Sequence, residues 1–265
     1  MQISGGRLKS GVMSNSVADK TFALFANPGV VKIIAQLENA GANLIKFPPP
    51  EAERVEPNEI SKEILNRLVN FDWIIFPDVL AVDFFLGILE EKEIDFFDLD
   101  EMRVCALGEA VSDRLRFVQL HADVIPDTLE AENVLSALKN YIAGDGFENL
   151  KFLLPVEISL QNPIEDGLLK MNAEVCRLPV YQIKFSGKDK ISKLKALLKG
   201  GAIDEFIFSA PTDFIALNHI FNGEPLVRIL SEVAISAADG LIFQTVREHD
   251  LKRAGLFRLD KLGKV

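Results

Sequence analysis

The chain has 265 residues, of which 48% are hydrophobic and 26% are charged, and its formal net charge at pH 7 is −10. The length predicts two domains of ordinary size, and the sequence holds no run of about 18 apolar residues that would span a membrane. Because the charge is acidic and no basic block is present, nucleic acid is excluded as a partner.

The N-terminal segment and the cysteines indicate the compartment. Residues 1–20 contain no apolar stretch of the kind a secretory signal needs, and we expect them to form a flexible leader. Cys105 and Cys176 lie in apolar, strand-like runs, which favours buried thiols. This cysteine usage fits a reducing compartment, so a cytoplasmic protein is predicted.

In chain order, short apolar runs alternate with segments of helical spacing. The run FALF (22–25) precedes a helical segment (30–41) and the run NLIKFP (43–48), and DWIIF (72–76) precedes an apolar helix (81–94). The same alternation continues at residues 104–108, 130–146, 152–154, 163–175, 176–181, 204–208 and 214–222. It predicts an α/β fold of parallel sheets with helices on both faces.

The chain contains an internal repeat. The apolar run that starts at Phe22 recurs at Phe152, and DWIIF (72–76) recurs as DEFIF (204–208). A third pair sets VCALG (104–108) beside VAISA (233–237). The two members of each pair are separated by nearly the same length of chain, and three ordered matches at nearly one offset predict two similar halves.

Proline-rich segments mark where the chain passes between the halves. FPPP (47–50) continues neither a helix nor a central strand, and its repeat partner is LPVY (178–181). The chain is expected to leave one domain at about Pro48 and to return at about Tyr181. This predicts a discontinuous domain of residues 21–47 and 182–265, a domain of residues 51–178, and a two-stranded linker between them.

Six predicted strands end in segments that suit ligand binding. Ligands of open parallel sheets lie beyond the carboxyl ends of the strands, where the following helices present free N–H groups. The six ends are residues 26–29, 77–79, 107–109, 155–157, 209–212 and 236–239. A cleft between the two domains would be lined by them.

Motifs of common enzyme classes are missing from the sequence. It shows no glycine-rich dinucleotide or phosphate loop, no nucleophile elbow and no paired-cysteine metal pattern. His121, His219 and His249 lie far apart without ligand spacing, which favours surface or helix-end roles over metal binding. The sequence therefore predicts no metal site.

Several segments together resemble the uroporphyrinogen-III synthase family over about residues 21–256. They are DWIIF followed by an apolar helix, VCALGEAVSDRL with ADVIP and AENVLSAL, NAEVCRLPVYQI, and DEFIFSAPTDFIAL. The resemblance implies two α/β domains around a cleft that binds the linear tetrapyrrole hydroxymethylbilane, without a cofactor. It also implies the reaction, in which the bilane loses its hydroxyl and the macrocycle closes with inversion of ring D. We expect a monomer.

The resemblance also implies site residues. Tyr181 corresponds to the tyrosine of the family's proline-valine-tyrosine segment, and its phenol, facing the cleft, would help the hydroxyl leave; an interdomain tyrosine that only packs is the alternative. Gly108 matches the glycine after the family's third strand, and Ser209 matches the serine of its threonine-serine-proline turn. Backbone N–H groups of these turns would hold the ligand carboxylates. The expected substrate-binding residues are Gly108, Glu109, Ser209, Ala210 and Ser236.

A non-catalytic relative is the second interpretation. Such a protein would keep the cleft as a ligand-binding or regulatory module. It stays open because Asp78, Glu109, Glu157 and Asp239 would place carboxylates at the mouth of a cleft meant for an octacarboxylate, which raises the Coulomb cost of binding.

Overall fold

The computed structural model describes residues 17–94, 99, 101–142, 146–159, 162–186, 188–248, 251 and 253–258. Within these residues the strands are β1 (Thr21–Phe25), β2 (Asn43–Phe47), β3 (Glu51–Arg54), β4 (Trp73–Phe76), β5 (Arg103–Ala106), β6 (Lys151–Glu157), β7 (Glu174–Lys184), β8 (Glu205–Phe208), β9 (Ala234–Ala237) and β10 (Gly255–Leu256). The helices are α1 (Val31–Asn39), α2 (Glu59–Leu65), α3 (Val79–Glu91), α4 (Glu109–Phe117), α5 (Ala131–Ile142), α6 (Pro163–Lys170), α7 (Lys188–Lys199), α8 (Pro211–Ile220), α9 (Leu226–Ile229) and α10 (Gly240–Glu248).

The strands form two sheets. The first sheet has the order β10-β9-β8-β1-β2, and the second has the order β3-β7-β6-β4-β5. All pairs in the first sheet are parallel, and the second is parallel except for β3, which pairs antiparallel with β7. The predicted α/β fold of two similar parallel sheets is confirmed, with one antiparallel pair where the chain crosses between them.

Helices cover both faces of each sheet because successive strand residues point to opposite sides. In β1, Phe22 and Leu24 pack with α1, whereas Ala23 and Phe25 pack with α7, α8 and α10. In β4, Ile74 and Phe76 pack with α3 and α4, and the alternate residues pack with α5 and α6. The near-continuous apolar runs of these strands follow from this double burial.

The β3–β7 ladder lies where the chain passes between the sheets. Glu51 pairs with Lys184, and Arg54 pairs with Tyr181. Tyr181 also pairs with Glu157 of β6, so it belongs to the second sheet and β7 continues to Lys184. The ladder thus spans the region of the expected crossing at about Tyr181.

The start of the folded part differs from the predicted leader. Residues 1–16 lie outside the described residues, but Val17–Asp19 form a 3-10 helix. Val17 is buried in the same cluster as Phe22 and Leu37. Residues 17–19 thus belong to the folded protein.

The repeat is visible in the hydrogen bonds at the start of each central strand. The N–H of Asp72 donates to Lys151 O, and the Asp72 carboxylate accepts from Lys151 N at 2.8 Å. Asp204 repeats this arrangement with Thr21, where its carboxylate accepts from the N–H at 2.7 Å. The equivalent strands are thus β4 and β8, β5 and β9, and β6 and β1.

The strand register corrects the third repeat pair. Ala106 of β5 pairs with Phe76, and Ala237 of β9 pairs with the equivalent Phe208. The equivalent of Ala106 is therefore Ala237, whereas the sequence match had set Ile235 beside it. A slip of two residues keeps the inward and outward alternation, which is why the apolar pattern alone did not reveal it.

Replacing Asp204 by alanine should lower the free energy of unfolding by about 0.5–1.5 kcal/mol, because the Thr21 N–H loses its acceptor. Asp204→Asn keeps an acceptor oxygen and should lose less. Urea unfolding of both variants measures the difference, and equal losses would contradict this role for the carboxylate.

Candidate functional site

Two adjoining cavities form one cleft, with volumes of about 390 Å³ and about 240 Å³. They lie where the carboxyl ends of β4, β5 and β6 meet α8 of the other sheet. We call them the large and the small compartment. The residues that line both are Pro77, Asp78, Leu107, Leu129 and Ile215.

The remaining lining residues give the compartments different characters. The large compartment adds mainly apolar side chains together with one ion-paired turn of α4, namely Val79, Ala110, Val111, Asp113, Arg114, Phe117, Pro211, Phe214 and Thr245. The small compartment is more polar and adds Ala131, Val156, Glu157, Asn162, Pro163, Ile164 and Asn218. The large one suits an apolar ring, and the small one offers polar partners.

Asp78 lies at the wall between the compartments, as the residue that caps the N-terminus of α3. Its Oδ1 accepts from Ala81 N at 2.8 Å, and its Oδ2 accepts from the Tyr181 hydroxyl at 2.8 Å. The residue as a whole is partly exposed, but its carboxyl is buried, and this burial raises the pKa of the carboxyl to about 6. The two hydrogen bonds lower this pKa, and the charge of the nearby Glu157 raises it.

Tyr181 lies behind Asp78. It is fully buried, and its ring stacks on Phe84 with the centroids 5.5 Å apart. Burial, followed by the charge of Asp78, raises the pKa of its phenol well above the usual value of 10. The expectation that Tyr181 faces the cleft is therefore wrong, because the hydroxyl is turned onto the Asp78 carboxylate within the core of the second sheet.

Glu157 ends β6 beside the small compartment. Its carboxylate accepts from Ser159 N at 2.6 Å and from the Ser159 hydroxyl at 2.8 Å. The same hydroxyl lies 3.2 Å from Nδ1 of His219 on α8. Ser159 and His219 thus join the two halves by a polar contact at one side of the cleft.

Gly108 and Glu109 lie at the start of α4, next to the cleft but not in its lining. Gly108 is buried with φ +98°, and its N–H donates to Ala106 O at 3.0 Å, so it is not available to a ligand as expected. The positive φ explains the need for glycine in this tight turn. Glu109 is exposed and lies 3.7 Å from Arg116.

Ser209 and Ala210 form the turn between β8 and α8, and their N–H groups already donate to an acceptor within the protein. The Oδ2 of Asp213 accepts from Ser209 N at 2.8 Å, from the Ser209 hydroxyl at 2.9 Å and from Ala210 N at 3.1 Å. The expected ligand site is thus filled by a carboxylate of the protein, because an acidic third residue of a helix reaches back to the amides before it.

Asp213 itself is fully buried, and its Oδ1 has no hydrogen-bond partner. Burial raises the pKa of this carboxyl to about 7, although the Ser209 and Ala210 donors lower it. The charged form is therefore costly to bury, and the neutral form is favoured by folding.

Ser236 does not reach the cleft. It lies inside β9, and its hydroxyl donates to Glu205 Oε1 at 2.5 Å. The expected strand end at residues 236–239 was set too early, because β9 continues to Ala237. With the corrected offset, the equivalent of Gly108 is Asp239, whose carboxylate accepts from Ile242 N at 2.9 Å.

Asp78 was expected at the mouth of the cleft only as a repelling charge, and Asp213 was not expected at all, although the sequence carried a signal for each. Asp78 directly follows a strand and precedes an apolar helix, which is the pattern of a helix cap at a ligand-binding edge. Asp213 is the third residue of a helix that starts at proline, which suits a reciprocal cap. Neither pattern says that the carboxyl is buried.

No group of three or more His, Cys, Asp or Glu side chains suited to a metal ion occurs in the described residues. His121 and His219 lie apart there, and His249 lies outside the described residues. Nor is any helix of this part of the chain both long and apolar enough to cross a bilayer.

The buried Asp213 should make stability depend on pH. A folded pKa of about 7 against an ordinary 3.8 means that its stabilising contribution is complete below about pH 4 and is lost as pH rises through 7. Asp213→Asn stays neutral throughout. Between pH 5 and pH 8 the wild type should therefore lose roughly 2–3 kcal/mol of unfolding free energy relative to this variant in urea titrations. A difference that does not change with pH would contradict this.

Comparison with known proteins indicates the family of this chain. The family model for uroporphyrinogen-III synthase HemD matches residues 31–255. The porphyrin biosynthesis protein HemD of Ruminiclostridium josui is 19% identical over 168 residues, which is 63% of this chain. The chain aligns with only 32% of that protein's length.

Solved structures share the fold. The uroporphyrinogen III synthase of Thermus thermophilus superposes with a TM-score of 0.62 at 18% identity, covering 87% of this chain and 90% of that one. A second crystal form of the wild-type enzyme from this organism gives a TM-score of 0.61 at the same identity, with 87% and 89% coverage. At this identity the likeness extends to the two-domain architecture. The family model matches most of the length of this chain, and the chain therefore belongs to the uroporphyrinogen-III synthase family.

Proposed function

We propose that this chain is a uroporphyrinogen-III synthase, which removes the hydroxyl of hydroxymethylbilane and closes the macrocycle with inversion of ring D. The observation that carries the proposal is the cleft, which lies at the carboxyl ends of β4, β5 and β6 and has α8 as its opposite wall. The proposal includes action without a cofactor, as a cytoplasmic monomer.

The cleft suits the chemistry of a tetrapyrrole. Apolar side chains such as Leu107, Phe214 and Ile215 can pack against pyrrole rings, and the first turns of α3 and α4 reach the lining through Val79 and Ala110. N–H groups at helix N-termini favour carboxylates such as the acetates and propionates of the bilane. Arg114, which is paired with Asp83, is the basic residue among the described lining residues.

Catalysis in this proposal is mainly positioning. Hydroxymethylbilane cyclises by itself to the uninverted isomer, so the protein must hold the chain in a fold from which the inverted closure is faster. Lining residues from both halves can do this, because they fix the two ends of the ligand relative to each other.

The proposed domains are residues 21–47 with 182–265, and residues 51–178. We propose that these two domains rotate relative to each other about the two crossings. The ladder and the Ser159–His219 contact connect the domains at one side, so rotation would open and close the cleft for a ligand. Small-angle scattering with and without a tetrapyrrole should then show a smaller radius of gyration in the bound state. An unchanged radius at saturation would contradict domain closure.

The direct test is incubation of the purified protein with enzymatically generated hydroxymethylbilane. The expected product is mainly the type III isomer, because the inverted closure outruns spontaneous closure. Chromatographic separation of the type I and type III products measures this. A type I fraction equal to that of a protein-free control would contradict the proposal.

A specific observation favours the second candidate, a non-catalytic relative with a ligand-binding or regulatory cleft. Asp78, Asp113 and Glu157 line the compartments, and the Asp213 carboxylate accepts the hydrogen bonds of the N–H groups in the Ser209 turn. Repulsion of an octacarboxylate would then weaken binding. Under this alternative the protein gives only spontaneous product, while Asp113→Asn binds uroporphyrin more tightly than the wild type in a fluorescence titration.

A further inference from the structure

Asp78 holds a special position among the ionisable residues of the cleft. Asp113 and Arg114 line only the large compartment, and Glu157 lines only the small one. Asp78 is the ionisable residue that lines both, among the residues that the structure describes. A bilane that spans the compartments must pass this carboxyl.

The Asp78 carboxyl is also held in a fixed orientation. One oxygen accepts from Ala81 N, and the other accepts from the buried Tyr181 hydroxyl, each at 2.8 Å. Tyr181 is stacked on Phe84 and has no freedom to reach past Asp78 into the cleft. Of these two residues, Asp78 therefore lines the cleft and Tyr181 lies behind it.

We propose that Asp78 is the catalytic acid of the reaction proposed above, on which this inference rests, and that its carboxyl protonates the departing hydroxyl of hydroxymethylbilane. The phenol of Tyr181 is then a positioning group. This assigns to Asp78 the role that the family resemblance suggested for Tyr181.

The step balances without any further reactant. The carboxyl proton goes to the hydroxyl oxygen, the carbon–oxygen bond breaks, and water leaves. The lone pair of the pyrrole nitrogen supplies the electrons that the methylene carbon has lost, which gives an azafulvenium cation and an Asp78 carboxylate. After ring D has attacked this carbon and the macrocycle has closed, the proton released from a ring carbon returns to Asp78, so the acid is restored.

The surroundings suit both forms of the carboxyl. A pKa of about 6 leaves part of Asp78 protonated near neutral pH, whereas the raised pKa of Tyr181 makes the phenol a poor acid. Once Asp78 has lost its proton, the carboxylate faces a cation across the apolar large compartment, where their attraction is stronger than in water.

The neighbouring charges determine how the rate should follow pH. Glu157 from the end of β6 and Tyr181 from β7 face Asp78, and α4 brings Asp113 and the ion-paired Arg114 to the large compartment. The lining residues of α8 and α10 are Pro211, Phe214, Ile215, Asn218 and Thr245, which are not ionisable. Asp213 of α8 also has a raised pKa, of about 7, but it is buried against the Ser209 turn and does not line the cleft. The decline of the rate above pH 6 should therefore follow Asp78, at about tenfold per pH unit.

The test is the single-turnover rate of type III formation from pH 5 to pH 8. Asp78→Asn keeps an oxygen that caps α3, but it carries no acidic proton, so the rate should fall by about 10²–10⁴ and lose its pH dependence. Asp72→Asn is the matched control, because it makes the same change at the opposite end of β4, far from the cleft. It should stay within about threefold of the wild type.

Tyr181→Phe separates the acid from its positioning group. The phenol donates to Asp78 and thereby lowers the carboxyl pKa, so its removal should move the decline of the rate to higher pH. A structural role alone would lower the rate equally at every pH. This measurement also stands if Asp78→Asn does not fold.

The outcomes distinguish this inference from the proposed function. A wild type that forms no type III product above the spontaneous level overturns the proposed function and this inference with it. An active wild type with Asp78→Asn within about threefold and an unchanged pH profile overturns the role of Asp78 alone. So does a Tyr181→Phe variant whose pH profile is not displaced.

Discussion

The cleft depends on one topological constraint, which is that parallel strands bring their carboxyl ends to the same edge of a sheet. Because β4, β5 and β6 are parallel, Asp78, Leu107 and Glu157 lie at the ends of three separate strands and still surround one space. The β3–β7 ladder joins this sheet to the other half, where α8 begins at the carboxyl end of β8. The site is therefore shared between two sheets that each have their own core.

Duplication has produced two related turns with opposite polar arrangements. At the offset of β4 and β8, Asp78 corresponds to Ala210, and Ala81 corresponds to Asp213. In one turn the cap is acidic and accepts from the Ala81 N–H; in the other, the third helical residue is acidic and accepts from the Ala210 N–H. The first N–H groups of each helix have an acceptor, but of the two acidic residues only Asp78 lines the cleft, because Asp213 is fully buried.

Buried carboxyls of this kind oppose stability, since folding removes them from water. Apolar packing on both faces of each sheet offsets that cost. A reaction that needs a folded ligand and one proton donor makes few demands on side chains. This helps to explain how members of one family keep the same architecture at 18–19% identity.

The sequence by itself determined the α/β class, the two similar sheets and the strand ends that could carry a site. Apolar alternation and a repeat offset report directly on which residues are buried. Only the tertiary structure decided which polar groups form hydrogen bonds with one another. The Tyr181 hydroxyl donates to Asp78, and the Ser209 and Ala210 N–H groups donate to Asp213. Ser236 lies within β9. The Tyr181–Asp78 hydrogen bond joins residues 103 positions apart, and a register slip of two residues leaves the apolar pattern unchanged, so no local feature of the chain encodes either. The Asp213 cap has a local signal, but the burial of its carboxyl depends on the packing around α8.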